Sequence, residues 1–384
     1  MKMKQKNTRM ILIICIRNMI NIWQYGLVIY RRRTSLRVLV TGNKGYIGTV
    51  MVPMLQEKGF DVVGLDSDFF DGCFFGDESE YGAIQNIHSI RKDLRDVELS
   101  DLQGVDAVVH LAALSNDPLG DFNPTVTYEI NYEGSVRLAQ LAKRAGVQRF
   151  VFSSSCSVYG ASTADIVTER SELNPVTPYG ISKTRAEDGI SKLADSKFSP
   201  TIMRSATAYG LSPMLRCDLV LNNLIGWAYT KGIVYLKSDG MAWRPIVHIR
   251  DISRAFIAVL EASGELVHNE VFNVGRTEEN YRIHEIAEVV KETVPNSEIK
   301  YAKDAEPDKR SYRVDFGKIA HTLSNFKPGW TAASGAKELY DAFKRFGLVL
   351  EDLEGSKYRR ITHLEDIIRD GILDKTLRRI EAQT

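Results

Sequence analysis

The chain carries almost no net charge, with fifty basic residues against forty-nine acidic ones and a formal charge of +1. This balance removes the electrostatic footprint that nucleic acid or an anionic membrane would require, and leaves any anionic ligand to locally placed Arg or Lys. Cysteine is scarce. Cys15, Cys73, Cys156 and Cys217 show no paired ligand spacing, so no metal is expected, and they are too few to staple a chain of this size. A reducing, cytoplasmic compartment fits that usage. Internal repeats, low-complexity tracts and apolar runs of about 18 residues, the length that spans a bilayer, are also lacking.

The first 35 residues are unlike the rest. Lys2, Lys4, Lys6 and Arg9 precede an apolar run from Met10 to Ile16, but Arg17, Asn18, Asn21 and Gln24 interrupt it and no small-residue cleavage site follows before Arg31-Arg32-Arg33. Residues 1–35 read as an extension outside the domain, with a basic membrane-surface anchor as the alternative. With 384 residues and 44% apolar composition, the remainder is long enough for one large or two joined domains.

What is present begins with Val38-Leu39-Val40-Thr41-Gly42-Asn43-Lys44-Gly45-Tyr46-Ile47-Gly48, a buried strand, a glycine turn and the start of a helix. Glycines at 42, 45 and 48 remove β-carbons that would keep a pyrophosphate from the N–H groups of a helix N-terminus. A glycine turn that merely packs strand on helix would look the same. A second apolar strand ends at Asp66, about 20 residues past the glycines, where a carboxylate accepts the ribose hydroxyls of adenosine and repels a 2′-phosphate, favouring NAD over NADP; the alternative is a surface-turn Asp. Ile87 to Ile90 reads as a third strand leading to Asp93 and Leu94, with Asp93 a candidate for the adenine amino group. A fourth strand ends in Leu111-Ala112-Ala113, small enough for a cofactor to approach the backbone. His110 within it reads as a hydrogen-bonded core residue. A helix runs from about Pro124 to Ala145 and contains Asn131, and a fifth strand opens into Ser153-Ser154-Ser155. This alternation predicts an α/β fold, a doubly wound parallel sheet whose ligand lies outside the carboxyl ends of the strands.

Tyr179 and Lys183 follow Pro178 and lie four apart on one helical face. A phenol is a poor base at neutral pH, and a neighbouring ammonium and a cationic nicotinamide would stabilise its phenolate. Tyr179 can then take a proton from a sugar hydroxyl while Ser155 aligns that oxygen. Alone, such a pair is usually a solvated helix face; with the glycines and the serine strand end it points to an active site.

Thr41-Gly42-x-x-Gly45-x-x-Gly48, Ser155 before Val158-Tyr159-Gly160, and Tyr179-x-x-x-Lys183 together resemble the extended short-chain dehydrogenase/reductase superfamily. The similarity is to its nucleotide-sugar epimerase/dehydratase branch, typified by UDP-glucose 4-epimerase, and covers Leu36 to about Trp330. The resemblance implies a Rossmann domain over residues 36–204 and a smaller α/β substrate region over 205–384, of which a segment near 245–262 packs back on the first. It implies NAD held by Gly42 through Gly48 (Asn43, Lys44, Gly45, Tyr46 and Ile47 between them), Asp66, Asp93, Leu94, Leu111, Ala112, Ala113, Asn131, Tyr179 and Lys183. Tyr179 is then the base, Lys183 binds the nicotinamide ribose, and Ser155 holds the substrate oxygen. Ser115, Ser155, Asn223, Arg244 and Arg310 are the implied contacts to a nucleotide-diphosphate sugar, Arg310 or Arg313 replacing an arginine the family carries just before Pro307-Asp308. A surface or core salt bridge is the alternative for Arg244. Family members are often homodimers.

Sugar 4,6-dehydratases carry an Asp-Glu pair after the serine, because elimination needs a further acid and base. Here Cys156 and Ser157 stand there, which argues against dehydration. Cys156 reads as a buried small hydrophobe, or as a thiolate base α to a carbonyl. The implied reaction is epimerisation through a keto-sugar at C4. The alternatives are an NAD(P)H-dependent reductase of a 4-keto-sugar and a non-catalytic dinucleotide sensor or scaffold. Beyond Trp330 the chain reads as amphipathic helix, with Lys357-Tyr358-Arg359-Arg360 a solvated basic face.

Overall fold

The structure, a computed structural model, describes residues 35–77, 86–162, 164–306 and 311–380. The extension up to residue 34 and the candidate Arg310 lie outside the described residues. The chain runs through β1 (Arg37–Thr41), α1 (Gly48–Glu57), β2 (Asp61–Asp66), β3 (His88–Arg91), β4 (Ala107–His110), α2 (Ser135–Ala145), β5 (Arg149–Ser155), α3 (Pro178–Ser191) and β6 (Ser199–Ser205). It continues through β7 (Thr207–Tyr209), α4 (Val220–Lys231), β8 (Ile233–Ser238), β9 (Trp243–His248), α5 (Ile249–Glu261), β10 (Glu270–Val274), β11 (Asn280–Arg282), α6 (Ile283–Thr293), β12 (Glu298–Glu306), α7 (Ala332–Phe346) and α8 (Arg360–Arg369).

Seven strands form one parallel sheet in the order β10-β6-β5-β4-β1-β2-β3. Its central strands are apolar on both faces, as a sheet covered twice requires, while the edge strand β3 is polar and partly exposed. Along β1, Val38 and Val40 pack on one face with Met51 and Leu55 of α1 and Phe256 of α5. Leu39 packs on the other with Leu138 of α2 and Ile190 of α3. The chain grows outward through β1, β2 and β3, then returns to the opposite side of β1 with β4. This reversal opens a crevice at the carboxyl ends of β1 and β4. Beyond β6 a third buried cluster joins α4, α6 and α7 with β8, and β9 pairs with β7 and β11.

The helix expected from Pro124 to Ala145 is broken. A turn Pro124–Tyr128 passes into six residues of wider π-helix, Glu129–Gly134, before α2 begins. Ser135 Oγ donates to the Asn131 carbonyl there at 2.7 Å. The basic cluster at 357–360 is not the solvated face its composition suggests, because Tyr358 and Arg360 are buried. Tyr358 Oη donates to the Phe74 carbonyl (3.2 Å), and the Arg360 guanidinium lies 4.5 Å over the Phe70 ring. The tail after α8 grips the same region: Arg379 donates to the carbonyls of Ser67 and Asp68, and Arg95 donates to those of Thr376 and Leu377. Among the described residues no helix is long and apolar enough to cross a membrane.

A buried ion pair ties α3 to the sheet. Glu187 accepts from Arg204 of β6 through both oxygens, at 2.6 Å to Nη2 and 3.0 Å to Nε, and also from the Ser154 hydroxyl of β5. Removing one member of such a pair leaves a buried charge uncompensated. Glu187→Gln is expected to lower the unfolding free energy by about 3–5 kcal/mol, read by denaturant titration. The double change Glu187→Leu/Arg204→Met should cost less than either single change; strict additivity would show that the two charges do not stabilise each other.

Candidate active site

The glycine turn is built by close approach. Gly42 has φ +74° and donates its N–H to the Leu65 carbonyl of β2 at 2.8 Å. A β-carbon on Gly48 would lie 2.2 Å from the Gly42 carbonyl oxygen, so α1 can begin there only with glycine. No side chain caps α1, and its first turn faces a cavity of about 900 Å³ lined by Gly42, Lys44, Gly45, Tyr46, Ile47 and Gly48. Across it, Asp66 accepts from the backbone N–H groups of Lys44 and Asp68, both at 3.0 Å, while burial raises its pKa. Asp93 is also at the cavity. Burial works to raise its pKa, but the Arg95 guanidinium and amide hold its carboxyl below the usual range.

Leu111, Ala112 and Ala113 form the wall after β4, and Leu94 and Ser115 line the same space. Behind that wall Thr41 Oγ1 meets His110 Nδ1 at 2.6 Å and Ser135 Oγ meets Nε2 at 2.8 Å. Burial and the Lys183 charge push His110 down to about 3, so it is a neutral core residue. Asn131 does not reach the cavity lining. Its amide accepts from the Leu114 N–H and donates to the Leu114 carbonyl and to Ser182 Oγ, pinning the wall to α3.

Thr177 caps α3, and Tyr179 and Lys183 sit one turn apart inside it, 8% and 2% exposed. Lys183 Nζ donates to the Ser153 carbonyl at 2.7 Å and lies 4.7 Å over the Phe152 ring. Burial lowers its pKa to about 7, against the opposing pull of Glu187. Burial raises Tyr179 to about 12, a rise that Asp117 adds to and that the Ser155 hydrogen bond and Arg216 oppose. Ser155 Oγ is linked in turn to Ser157 Oγ at 3.1 Å, and Ser157 to Tyr312, which stands beside Arg244. A hydroxyl row thus joins two tyrosines across the cavity.

The structure therefore gathers Ser155, Tyr179, Lys183, Ser115 and Arg244 around one space. It does not bring three of the remaining candidates to that space. Asn43 is turned under the sheet toward Ser89 (3.2 Å), Asn131 lies behind the wall, and Asn223 donates to the Cys217 carbonyl (2.8 Å), where Leu219 and Val220 form the lining. Arg313 pairs with Asp165 away from the cavity. Cys156 is 1% exposed, donates to the Arg204 carbonyl at 3.3 Å and does not line the cavity, an arrangement that favours the small hydrophobe; burial also raises its pKa.

Sequence reasoning missed Arg216, Asp218, Asp117, Ser157, Tyr312 and Arg360, all of which line the cavity. Arg216 pairs with Asp218 through Nε (2.9 Å) and Nη2 (2.8 Å) and donates to Ser115 Oγ (2.9 Å). The Arg-Cys-Asp spacing was the signal available for it. The resemblance points to Arg310 and Arg313, whereas Tyr312 between them is the residue that lines the cavity.

An uncapped helix N-terminus, a carboxylate opposite it and a small-residue wall are what a dinucleotide requires. Three buried polar atoms of cavity-lining residues, Asp68 Oδ1, Ser205 Oγ and Arg360 Nη1, have no nitrogen or oxygen partner within the protein and suit a polar ligand. Residues 38–275 match the sequence model of the NAD dependent epimerase/dehydratase family. The chain is similar to UDP-glucose 4-epimerase of Lactobacillus helveticus, 31% identical over 315 residues that cover 76% of this chain and 92% of the relative. It is similar also to UDP-glucuronic acid decarboxylase 2 of Arabidopsis thaliana, 28% identical over 306 residues and 78% of this chain, which spans 65% of that relative's length. Among solved structures, UDP-glucuronic acid 4-epimerase from Bacillus cereus in complex with UDP-glucuronic acid and NAD superposes with a TM-score of 0.69 at 26% identity, covering 81% of this chain and 99% of that one.

The lowered Lys183 pKa has a consequence for stability. Between its folded value of about 7 and its ordinary value of 10.5, the unfolded chain binds a proton that the folded chain does not. Stability from this group therefore falls as pH falls from 10.5 to 7 and is level below. In dinucleotide-free protein, Lys183→Met is expected to flatten the rise of Tm with pH across that window; identical slopes for both proteins would place the Lys183 pKa at its ordinary value.

Proposed function

We propose that this chain, which belongs to the NAD-dependent epimerase/dehydratase family of extended short-chain dehydrogenase/reductases, epimerises a nucleotide-diphosphate sugar at C4. Bound NAD supplies a reversible hydride acceptor and a positive nicotinamide ring. The protein supplies the base, the alignment and the anion contacts. Tyr179 takes the proton of the sugar hydroxyl, and Ser155, already hydrogen-bonded to Tyr179, holds the same oxygen. Its pKa of about 12 in the free site is too high for that task, so the positive charge of the ligand and of Lys183 must bring it down. Burial alone lowers the Lys183 pKa to about 7, and a phenolate forming one helical turn away favours its charged form, so the two charges develop together. The keto-sugar turns over in the cavity, and Tyr179 returns the proton to the oxygen on the other face.

Arg216 and Arg244 suit the diphosphate oxygens, since a guanidinium fork matches them in shape and charge. The observation that carries epimerisation over dehydration is the pairing of a complete Ser155, Tyr179, Lys183 set with Cys156 and Ser157 in place of an acidic pair. No carboxylate follows Ser155 to protonate a leaving hydroxyl. Cys156 is turned away into the core, so it does not replace one.

The test is a panel of nucleotide sugars incubated with the purified protein. The expected result is an isomerised sugar with no net change in NAD or NADH. Tyr179→Phe is expected to lower turnover by roughly 10²–10⁴-fold while NAD stays bound. Wild-type turnover in that variant would refute the assigned base, and net consumption of NAD(P)H with a keto-sugar would move the reaction to reduction.

A further inference from the structure

Arg360 lies in α8, far beyond the segment that matches the family, yet it lines the cavity. It is 3% exposed. Its Nη2 donates to the Met214 carbonyl at 2.8 Å, its guanidinium lies over Phe70 and touches the Cys73 thiol, but Nη1 has no nitrogen or oxygen partner in the protein. The carboxylate nearby, Asp218, is already committed: its oxygens accept from Arg216 Nε and Nη2 and from Asn116 Nδ2. Burial, and after it the Arg216 charge, lower the Arg360 pKa to about 10, so the protein disfavours the cation it has placed there. A buried guanidinium with an unused donor is costly unless an anion completes it.

The location says which anion. Met214, to which Arg360 donates, is linked through Ser212 to the carbonyl of Tyr46 in the glycine turn, with Met214 N to Ser212 Oγ at 3.1 Å and Ser212 Oγ to Tyr46 O at 2.7 Å. Phe70, beneath the guanidinium, belongs to the loop that follows Asp66. Arg360 therefore hangs between the anion-binding turn, the loop after the ribose-side carboxylate, and Arg216. We propose that Arg360 binds a phosphate oxygen of a nucleotide in this cavity, adding from the C-terminal helix a cation that the family-matched segment does not contain. The phosphate comes either from the dinucleotide pyrophosphate or from the sugar-nucleotide diphosphate. The second source rests on the function proposed above; the first rests on NAD alone.

The experiment uses the full chain with Arg360→Met and Arg360→Lys, stripped of dinucleotide. Calorimetry measures NAD⁺ affinity, and then UDP against uridine on NAD-loaded protein. An NAD⁺ affinity at least ten-fold weaker in R360M and intermediate in R360K, with no loss of Tm in the ligand-free protein, assigns the contact to the dinucleotide. Unchanged NAD⁺ affinity with loss of the UDP advantage over uridine assigns it to the substrate. If R360M does not fold, R360K, which keeps the cation but loses the fork, carries both arms. NAD⁺ affinity within two-fold of wild type, with no loss of UDP preference, overturns the proposal. A wild-type protein that ignores UDP would count against the sugar-nucleotide reading, and the NAD⁺ arm would still decide on Arg360.

Discussion

One buried carboxylate, Glu187, fixes the geometry on which the site depends. It lies one turn beyond Lys183 on α3 and takes hydrogen bonds from Arg204 on β6 and Ser154 on β5. Through it the helix that carries Tyr179 is held to the strand end that carries Ser155. A hydrogen bond between two side chains on separate elements is only as definite as the elements' relative position. The Ser155–Tyr179 contact inherits its definition from a charge pair that never meets substrate.

The same burial that orders the site also strains its charges. Lys183, Arg216 and Arg360 are cations withdrawn from water, and each is met differently: Lys183 by a carbonyl and an aromatic face, Arg216 by Asp218, Arg360 in part by a carbonyl. Withdrawn cations cost the free protein stability and repay it when an anion or an electron-rich group arrives. Folding thus sets aside binding energy in the positions where charge will be needed, which is how a site becomes preorganised.

Much of this was legible in the sequence because it follows from local geometry. Gly42, Gly45 and Gly48 announce close approach, the apolar runs announce a sheet covered twice, and Tyr179 with Lys183 are set together by helical spacing alone. What the sequence hid depends on long-range packing. Arg216 and Tyr312 enter from segments with no periodic pattern. Helix phase decides which of two adjacent asparagines is buried: Asn222 donates to Tyr46 Oη at 3.1 Å, while Asn223 turns to the Cys217 carbonyl. Lys357-Tyr358-Arg359-Arg360 looked solvated because composition cannot show that Phe70 and Phe74 offer a ring and a carbonyl from the far end of the chain. Asn131 stands out in sequence only as a polar residue in a helix; its two hydrogen bonds to Leu114 depend on the loop it holds.

The loop of residues 67–74 closes one end of the cavity, and its partners come very late in the chain. Tyr358 reaches Phe74 across 284 residues, His363 reaches Phe69 across 294, and Arg379 reaches Ser67 across 312. A ribosome adding about 5–20 residues per second therefore exposes the glycine turn and the central strands well before those partners exist. The sheet can collapse on local and mid-range contacts, but the rim of the cavity is completed only once residues 358–379 have been added. The order of assembly is thus written into the topology: the crevice forms early and its enclosure waits for residues 358–379.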